Sequence, residues 1–303
     1  MSFVTHDKIL LLFDGDIIVY RAGFAAEKRY YYDSRNPPEE GGMEWETKKE
    51  ALVNLTELEY LAWDRHLEPL ENALQNCKSI INNSLEYFSD LYPEAEMEYV
   101  TFLSGNDETP NFRNEIDPEY KANRKPEHRP TYLGEMKDYL LERHCGYVTQ
   151  GCEADDFFGQ AQTDALKNNK TPVVCSIDKD LKQLNGLHYN FVTPTLEWIS
   201  KEEAEMTFFR QLLEGDRADN IQGIAGIGKV KAKRYLPTGL DTEAARLTVI
   251  PYYRKEFKDG WKKKFNNNCD LLWIWRKIPD ECPYKIKEEE EEELAPLPES
   301  VRA

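Results

Sequence analysis

Four stretches of the chain share one pattern, a near-continuous apolar run that ends in acid. They are ILLLFDGDIIVY (9–20), EYVTFLSGND (98–107), GYVTQGCEADD (146–156) and TPVVCSIDKD (171–180). Apolar runs without alternation predict strands buried on both faces, the first ending near Asp14. HYNFVTP (188–194) predicts one more. Between them the apolar spacing changes to that of a helix: in ALQNCKSIINNSLEYFSDL (73–91), Ala73, Cys77, Ile80, Ile81, Leu85 and Phe88 share one face. YLGEMKDYLLERH and ADDFFGQAQTDALKNN keep the same period. Strand alternating with helix predicts an α/β fold, a parallel sheet covered by helices on both faces. Beyond about residue 200 the strand pattern stops. There KEEAEMTFFRQLLEGD predicts a helix, a glycine-punctuated turn follows, and another helix opens at Lys229, so a smaller helical region is expected. The segment 28–70 holds tyrosines and polar turns without an assignable period, and is expected to be an insertion between the first strand and its helix.

Composition narrows the class. A chain of 303 residues is long enough for a full core, as one large domain or two small ones. No run of eighteen apolar residues is present and the N-terminus lacks a signal-peptide pattern, so a cytoplasmic protein is expected, with no membrane partner. Six scattered cysteines without a CxxC pair fit reduced thiols and not a zinc site. The net charge of −17 argues against nucleic acid until its distribution is read. Glu288 to Glu293 form a block in the tail 286–303, expected to be solvated and disordered. The cations are bunched instead, in YKANRKPEHRP (120–130), GKVKAKR (228–234) and YYRKEFKDGWKKKF (252–265). For phosphate the local field matters more than the sum.

Ligands of open parallel sheets bind outside the carboxyl ends of the strands. Asp14, Asp16, Asp107, Glu153, Asp155, Asp156, Asp178 and Asp180 fall there. At one strand end an acid is commonly a helix N-cap. Four ends in series point instead to hard divalent cations, magnesium or manganese, which relieve the repulsion of crowded carboxylates. Two such ions can activate a water and stabilise the leaving oxygen of an in-line phosphoryl displacement. LLLFDGDIIVY alone also permits a haloacid-dehalogenase-type phosphohydrolase, with Asp14 as nucleophile and Asp16 as acid, although Ile18 stands where that pattern wants Thr or Val.

The basic segments favour a phosphodiester. Arg113, Lys121, Arg124, Lys125 and Arg129 follow soon after Asp107, where cations could clamp a phosphate, and Tyr120 could stack on a base. In GIAGIGKVKAKR, Gly223, Gly226 and Gly228 let backbone amides approach a phosphate, and Lys229, Lys231 and Lys233 extend that contact without reading sequence. The plainer readings are a solvated loop and an ordinary helix-capping turn.

FDGDIIVYR, DPEYKANR, GCEADD, SIDKDLKQL and GDRADNIQGIAGIG resemble, in that order, the motifs of the flap endonuclease or 5′-nuclease superfamily, above all the small phage 5′-to-3′ exonucleases. The resemblance runs over residues 9–236. It implies a PIN-like sheet over residues 1–200, with a helical arch at about 118–135. It further implies a helix–three-turn–helix, or helix-hairpin-helix, region over 201–285 that grips duplex DNA. By motif position, Asp14, Asp107, Glu153, Asp155 and Asp156 would hold one divalent cation, and Asp178, Asp180, Asp216 and Asp219 the second. Tyr120, Lys121 and Arg124 match the arch, and a monovalent cation such as potassium would sit at the glycine turn. The implied protein is a monomeric nuclease of phage-type DNA replication or recombination that cuts duplex or branched DNA at a 5′ end or flap, with RNA–DNA hybrids as a further substrate. A catalytically idle module that binds branched DNA remains a third class. The family pattern does not fix Asp16. The 28–70 segment has no counterpart in the family, Val230 stands where many relatives carry lysine, and little matches after residue 240.

Overall fold

In the computed structural model, which describes residues 7–105, 110–124 and 129–287, the expected apolar runs pair into one sheet. The strands are β1 (Lys8–Asp14), β4 (Glu96–Leu103), β5 (Gly146–Val148), β6 (Thr171–Cys175), β7 (Gly186–Asn190) and β8 (Thr195–Ile199). Their spatial order is β5-β4-β1-β6-β7-β8, parallel throughout except that β8 pairs antiparallel with β7. The sheet is therefore mixed, and the sequence pattern missed β8 because that edge strand is largely exposed and lacks an apolar run. Central β1 aligns Asp14 with Phe102 of β4 and Phe13 with Cys175 of β6, so the carboxyl ends of three strands open on one side.

Alternate residues of the central strands feed two cores. Ile9, Leu11 and Phe13 pack with the helices α1 (Gly15–Ala25), α3 (Leu70–Leu91) and α5 (Leu133–Arg143). Leu12, Phe102 and Val174 pack with α6 (Ala154–Lys167) and with Ile274 of the C-terminal segment on the opposite face. The first strand gives way to helix immediately. Asp14 caps α1 by accepting from the Ile17 amide at 3.0 Å, and burial of Ile18 and Val19 outweighs their β preference.

The 28–70 segment does not separate the first strand from that helix; it follows α1. It forms an antiparallel ribbon of β2 (Glu27–Asp33) and β3 (Leu61–Leu67), with α2 (Lys48–Asn54) in the excursion between them. The ribbon's foot is tied to the chain beyond the 125–128 stretch. Glu27 pairs with Arg65 at 3.0 Å, Arg65 donates to the Arg129 carbonyl at 2.8 Å, and the Thr131 amide donates to Glu27 at 3.0 Å.

After β8 come α7 (Lys201–Glu214), a small ribbon of β9 (Gly215–Asp216) and β10 (Ile221–Gln222), and then α8 (Lys229–Tyr235), α9 (Thr242–Phe257) and α10 (Trp261–Leu272). Together with α4 (Phe112–Ile116), α7, α9 and α10 share a core of Phe208, Phe209, Leu212, Tyr253 and Phe265, which Tyr120 joins. Residues 273–287 then strap this region back onto the sheet. The Trp275 ring stacks on Phe112 at 4.3 Å, and the strap lies so close to α6 that a Cβ on Gly159 would meet the Trp275 carbonyl at 1.9 Å. Gly159→Ala should therefore cost about 2 kcal/mol of stability, measured as a lower urea midpoint. An unchanged midpoint would show that the strap shifts freely.

Candidate active site

The carboxyl ends of β1, β5 and β6 and the loop after α7 surround a crevice lined by Glu153, Asp155, Asp180, Asp216 and Asp219. Asp14 lies at the end of β1, only 4 % exposed, and accepts from Ser176 Oγ at 2.7 Å. The Ser176 hydroxyl also accepts from the Asp178 amide at 2.9 Å, and Asp178 accepts from the Asp180 amide at 2.8 Å. Local turns thus deliver Asp178 and Asp180 from the end of β6. Glu153 and Asp155 arrive at the N-terminus of α6, whose first turn favours negative charge. The β9–β10 ribbon presents Asp216 and Asp219, with Asp216 holding the amides of Ala218 and Asp219.

Crowding governs the titration of this group. Burial pushes Asp14 up to about 7, with Asp16 and Asp178 adding repulsion. Desolvation and then Asp178 raise Asp180 to about 7. Desolvation also raises Asp178, and Asp155 well above the usual carboxylate range, the latter with added repulsion from Asp178, Asp14 and Glu153. Glu153 is the exception. Desolvation opposes its charge, but Lys121 and Arg113 outweigh that and hold it below the ordinary value.

A donor set made of carboxylate oxygens alone, with Asp14, Asp155, Asp178 and Asp180 held back from ionising by burial, fits hard divalent cations such as magnesium or manganese. Among the described residues no three acids yet close on a common point. Side-chain cations stand among them. Lys121 Nζ bonds Glu153 and lies 3.6 Å from Asp219, Arg124 Nη2 bonds Asp219 at 2.6 Å, and Lys179 Nζ lies 3.4 Å from Asp180 and 3.6 Å from Asp216. These cations occupy positions that ions could take over.

Several expectations need correction. Asp156 is fully buried, its oxygens taken by Arg113 at 2.7 and 3.0 Å, by the Glu153 amide at 3.1 Å and by the Trp275 amide at 3.0 Å. It is a structural partner and has no lone pairs left for an ion. Arg113, expected to meet DNA, is 3 % exposed and also donates to the carbonyls of Leu271 and Trp273. Tyr120 is 4 % exposed and donates to Asp219 at 3.1 Å, so its ring cannot stack on a base. Lys121 and Arg124, expected in the helical arch, stand on no helix, because residues 118–123 form successive turns and Lys121 has φ +58°. They converge because the turns dock on the β9–β10 loop, the Lys121 amide donating to the Asp219 carbonyl at 3.0 Å. The expected helical arch thus contains no helix over residues 118–124. Gly223 abuts the Glu214 and Gly215 backbone, so the ribbon demands it and no open approach is left there. Gly226, at φ +74°, and Gly228 do face open space, beside exposed Lys229, Lys231 and Lys233. Lys231 reaches back to the Gly226 carbonyl at 2.8 Å. Asp107, Lys125 and the Glu288–Glu293 tail lie outside the described residues.

The sequence reading missed Lys179, Ser176 and Asn111. Lys179 was visible between Asp178 and Asp180, but Asn111, which donates to Glu153 at 3.1 Å, carries no local signal. Asp16 belongs elsewhere: it accepts from the Ser104 amide at 2.8 Å and pairs with Lys137 at 3.1 Å. With both oxygens engaged in this way, Asp16 is not free to act as the acid of an Asp-x-Asp phosphohydrolase.

The family model described as the 5′–3′ exonuclease N-terminal resolvase-like domain matches residues 52–210. The chain belongs to this 5′–3′ exonuclease family. It is 30% identical to the DNA polymerase I of Borreliella burgdorferi over 233 residues, which cover 70% of this chain and 26% of that protein. It is 27% identical to the exodeoxyribonuclease of Enterobacteria phage T3 over 273 residues, covering 88% and 79% of the two chains. The matched part amounts to 53% of the length of curated flap endonucleases Xni from Shewanella baltica, and to about a quarter of the polymerase. Among solved structures, a variant of the T5 5′-exonuclease shares the fold, with a TM-score of 0.50, 14% identity and 88% of each chain covered. Helices flank a mixed central sheet in this α/β family member. No described helix is long and apolar enough to cross a membrane.

The raised carboxylates set a pH dependence. Protonated Asp14 and Asp180 stabilise the fold fully below the ordinary value of 3.8, and that contribution is lost as pH rises towards about 7. The metal-free protein should therefore show a urea midpoint that falls between these limits, and saturating manganese should remove the fall. An identical slope with and without manganese would mean that the cation does not meet these groups.

Proposed function

We propose that the chain is a divalent-cation-dependent 5′-nuclease that hydrolyses phosphodiesters of duplex or branched DNA at a 5′ end or flap. The observation that carries the reading is the crevice itself, with carboxylates from three strand ends and the β9–β10 loop gathered under Lys121 and Arg124. The exodeoxyribonuclease and flap endonuclease names of the relatives support it.

Asp14, Glu153 and Asp155, with Asp107, would hold one magnesium or manganese ion, and Asp178, Asp180, Asp216 and Asp219 the second. Such ions supply charge neutralisation and water activation in phosphoryl transfer. The chain's own part is placement. Lys121 and Arg124, now on Glu153 and Asp219, exchange those carboxylates for the non-bridging oxygens of the scissile phosphate and its neighbour. Charge-assisted contacts of this kind strengthen as charge develops. Residues 201–285 act as the helix-hairpin-helix region. Its turn at Gly226 and Gly228, with a potassium ion and with Lys229, Lys231 and Lys233, holds the duplex by its phosphates at a fixed distance from the crevice. Residues 1–200 form the catalytic unit, and 286–303 an acidic tail. A monomer acting in the cytoplasm on DNA, and on RNA–DNA hybrids, completes the reading.

Single-turnover cleavage of 5′-labelled duplex and flap substrates tests it. Lys121→Ala and Arg124→Ala should each slow cleavage by roughly ten- to a thousand-fold, while DNA affinity in calcium changes only a few-fold. Undiminished cleavage by the double variant, or hydrolysis of a small phosphate ester with DNA left intact, would overturn it.

A further inference from the structure

Two buried glutamines that line the crevice wall connect Asp180 to the C-terminal strap. Gln211 of α7 donates from Nε2 to Asp180 Oδ1 at 2.6 Å. Its Oε1 accepts from Gln183 Nε2 at 2.6 Å, and the same Gln183 nitrogen donates to the Leu272 carbonyl at 2.7 Å. Gln183 Oε1 accepts from the Ile274 amide at 3.4 Å. Gln183 and Gln211 are 2 % and 8 % exposed.

The chemistry at the two ends fixes the direction of the chain. Leu272 offers a carbonyl that can only accept, and the Ile274 amide can only donate, so Gln183 must present nitrogen to the first and oxygen to the second. Its second N–H then points at Gln211, which must answer with oxygen and so turns its own nitrogen to Asp180. Flipping Gln183 would set its oxygen against the Leu272 carbonyl, and flipping Gln211 would set its nitrogen against that of Gln183, both costly in a buried site. The strap thus dictates which donor Asp180 receives.

We infer that Gln211 is a positioning residue for the second cation half-site. Supported from behind by Gln183, it pins one oxygen of Asp180 and leaves the other for an ion. This rests on the reading of Asp180 as a ligand. Second-layer partners of ligating carboxylates typically change metal affinity by about 10- to 100-fold. Apolar side chains of similar length could fill the same volume, so packing alone does not call for two amides here.

Manganese titration calorimetry on the full, metal-free chain tests the inference. Asp180→Asn and Gln211→Met should each weaken one and the same manganese site by about ten-fold or more. Their combination should lose little further, because both act on one carboxylate. Gln183→Met should weaken the site several-fold and serves as the test if Gln211→Met does not fold. A purely structural glutamine pair would lower the melting temperature and leave manganese affinity intact. If Asp180→Asn weakens binding while both glutamine variants bind as wild type, the relay is wrong and the ligand reading stands. Wild-type binding by Asp180→Asn would remove the ligand reading and the relay with it.

Discussion

The buried pair of Arg113 and Asp156 joins parts of the chain that are far apart in sequence. Arg113 is on α4, at the start of the turns that carry Lys121 and Arg124, and Asp156 is in the first turn of α6, beside Glu153 and Asp155. The guanidinium also takes the carbonyls of Leu271 and Trp273, and the carboxylate takes the Trp275 amide. A buried ion pair is not in itself more stabilising than a well-packed apolar contact. With every one of these partners satisfied, however, it admits only one arrangement of loop, helix and strap. The register of two crevice acids and two crevice cations depends on it.

Placing so many carboxylates together is unfavourable, and the chain contains its own partial remedy. Lys121, Arg124 and Lys179 stand where they neutralise Glu153, Asp219, Asp180 and Asp216. Burial raises Asp14 and Asp155, and at Asp155 the pull of Lys121 does not offset it. The net charge of −17 therefore describes the chain poorly as a ligand for phosphate. Lys121, Arg124 and Lys179 stand at the crevice, and α8 exposes Lys229, Lys231 and Lys233.

The sheet was legible in sequence because parallel strands buried on both faces leave unbroken apolar runs, and the acids that end them mark the open side. The start of α1 was not, since Ile17, Ile18 and Val19 prefer strands until a cap and burial decide otherwise. Nor was the β2–β3 ribbon, whose strands pair across the excursion from Ser34 to Tyr60. Among charged residues the failure had one cause. Asp156 and Arg113 look, by sequence, like their neighbours in an acidic motif and a basic loop. Only burial by Leu271–Trp275, more than a hundred residues away, separates them. Tyr120 was misread for the same reason, because it is buried in a core built by residues from 206 onwards.

The decisive measurement is the urea unfolding of metal-free Asp156→Asn, combined with its manganese titration. Loss of that charge strands a buried guanidinium, and breaking such a pair typically costs about 3–5 kcal/mol. The account predicts a loss of that size, with manganese affinity of the folded protein within a few-fold of wild type. Full stability with manganese binding abolished would contradict it and return Asp156 to the metal site.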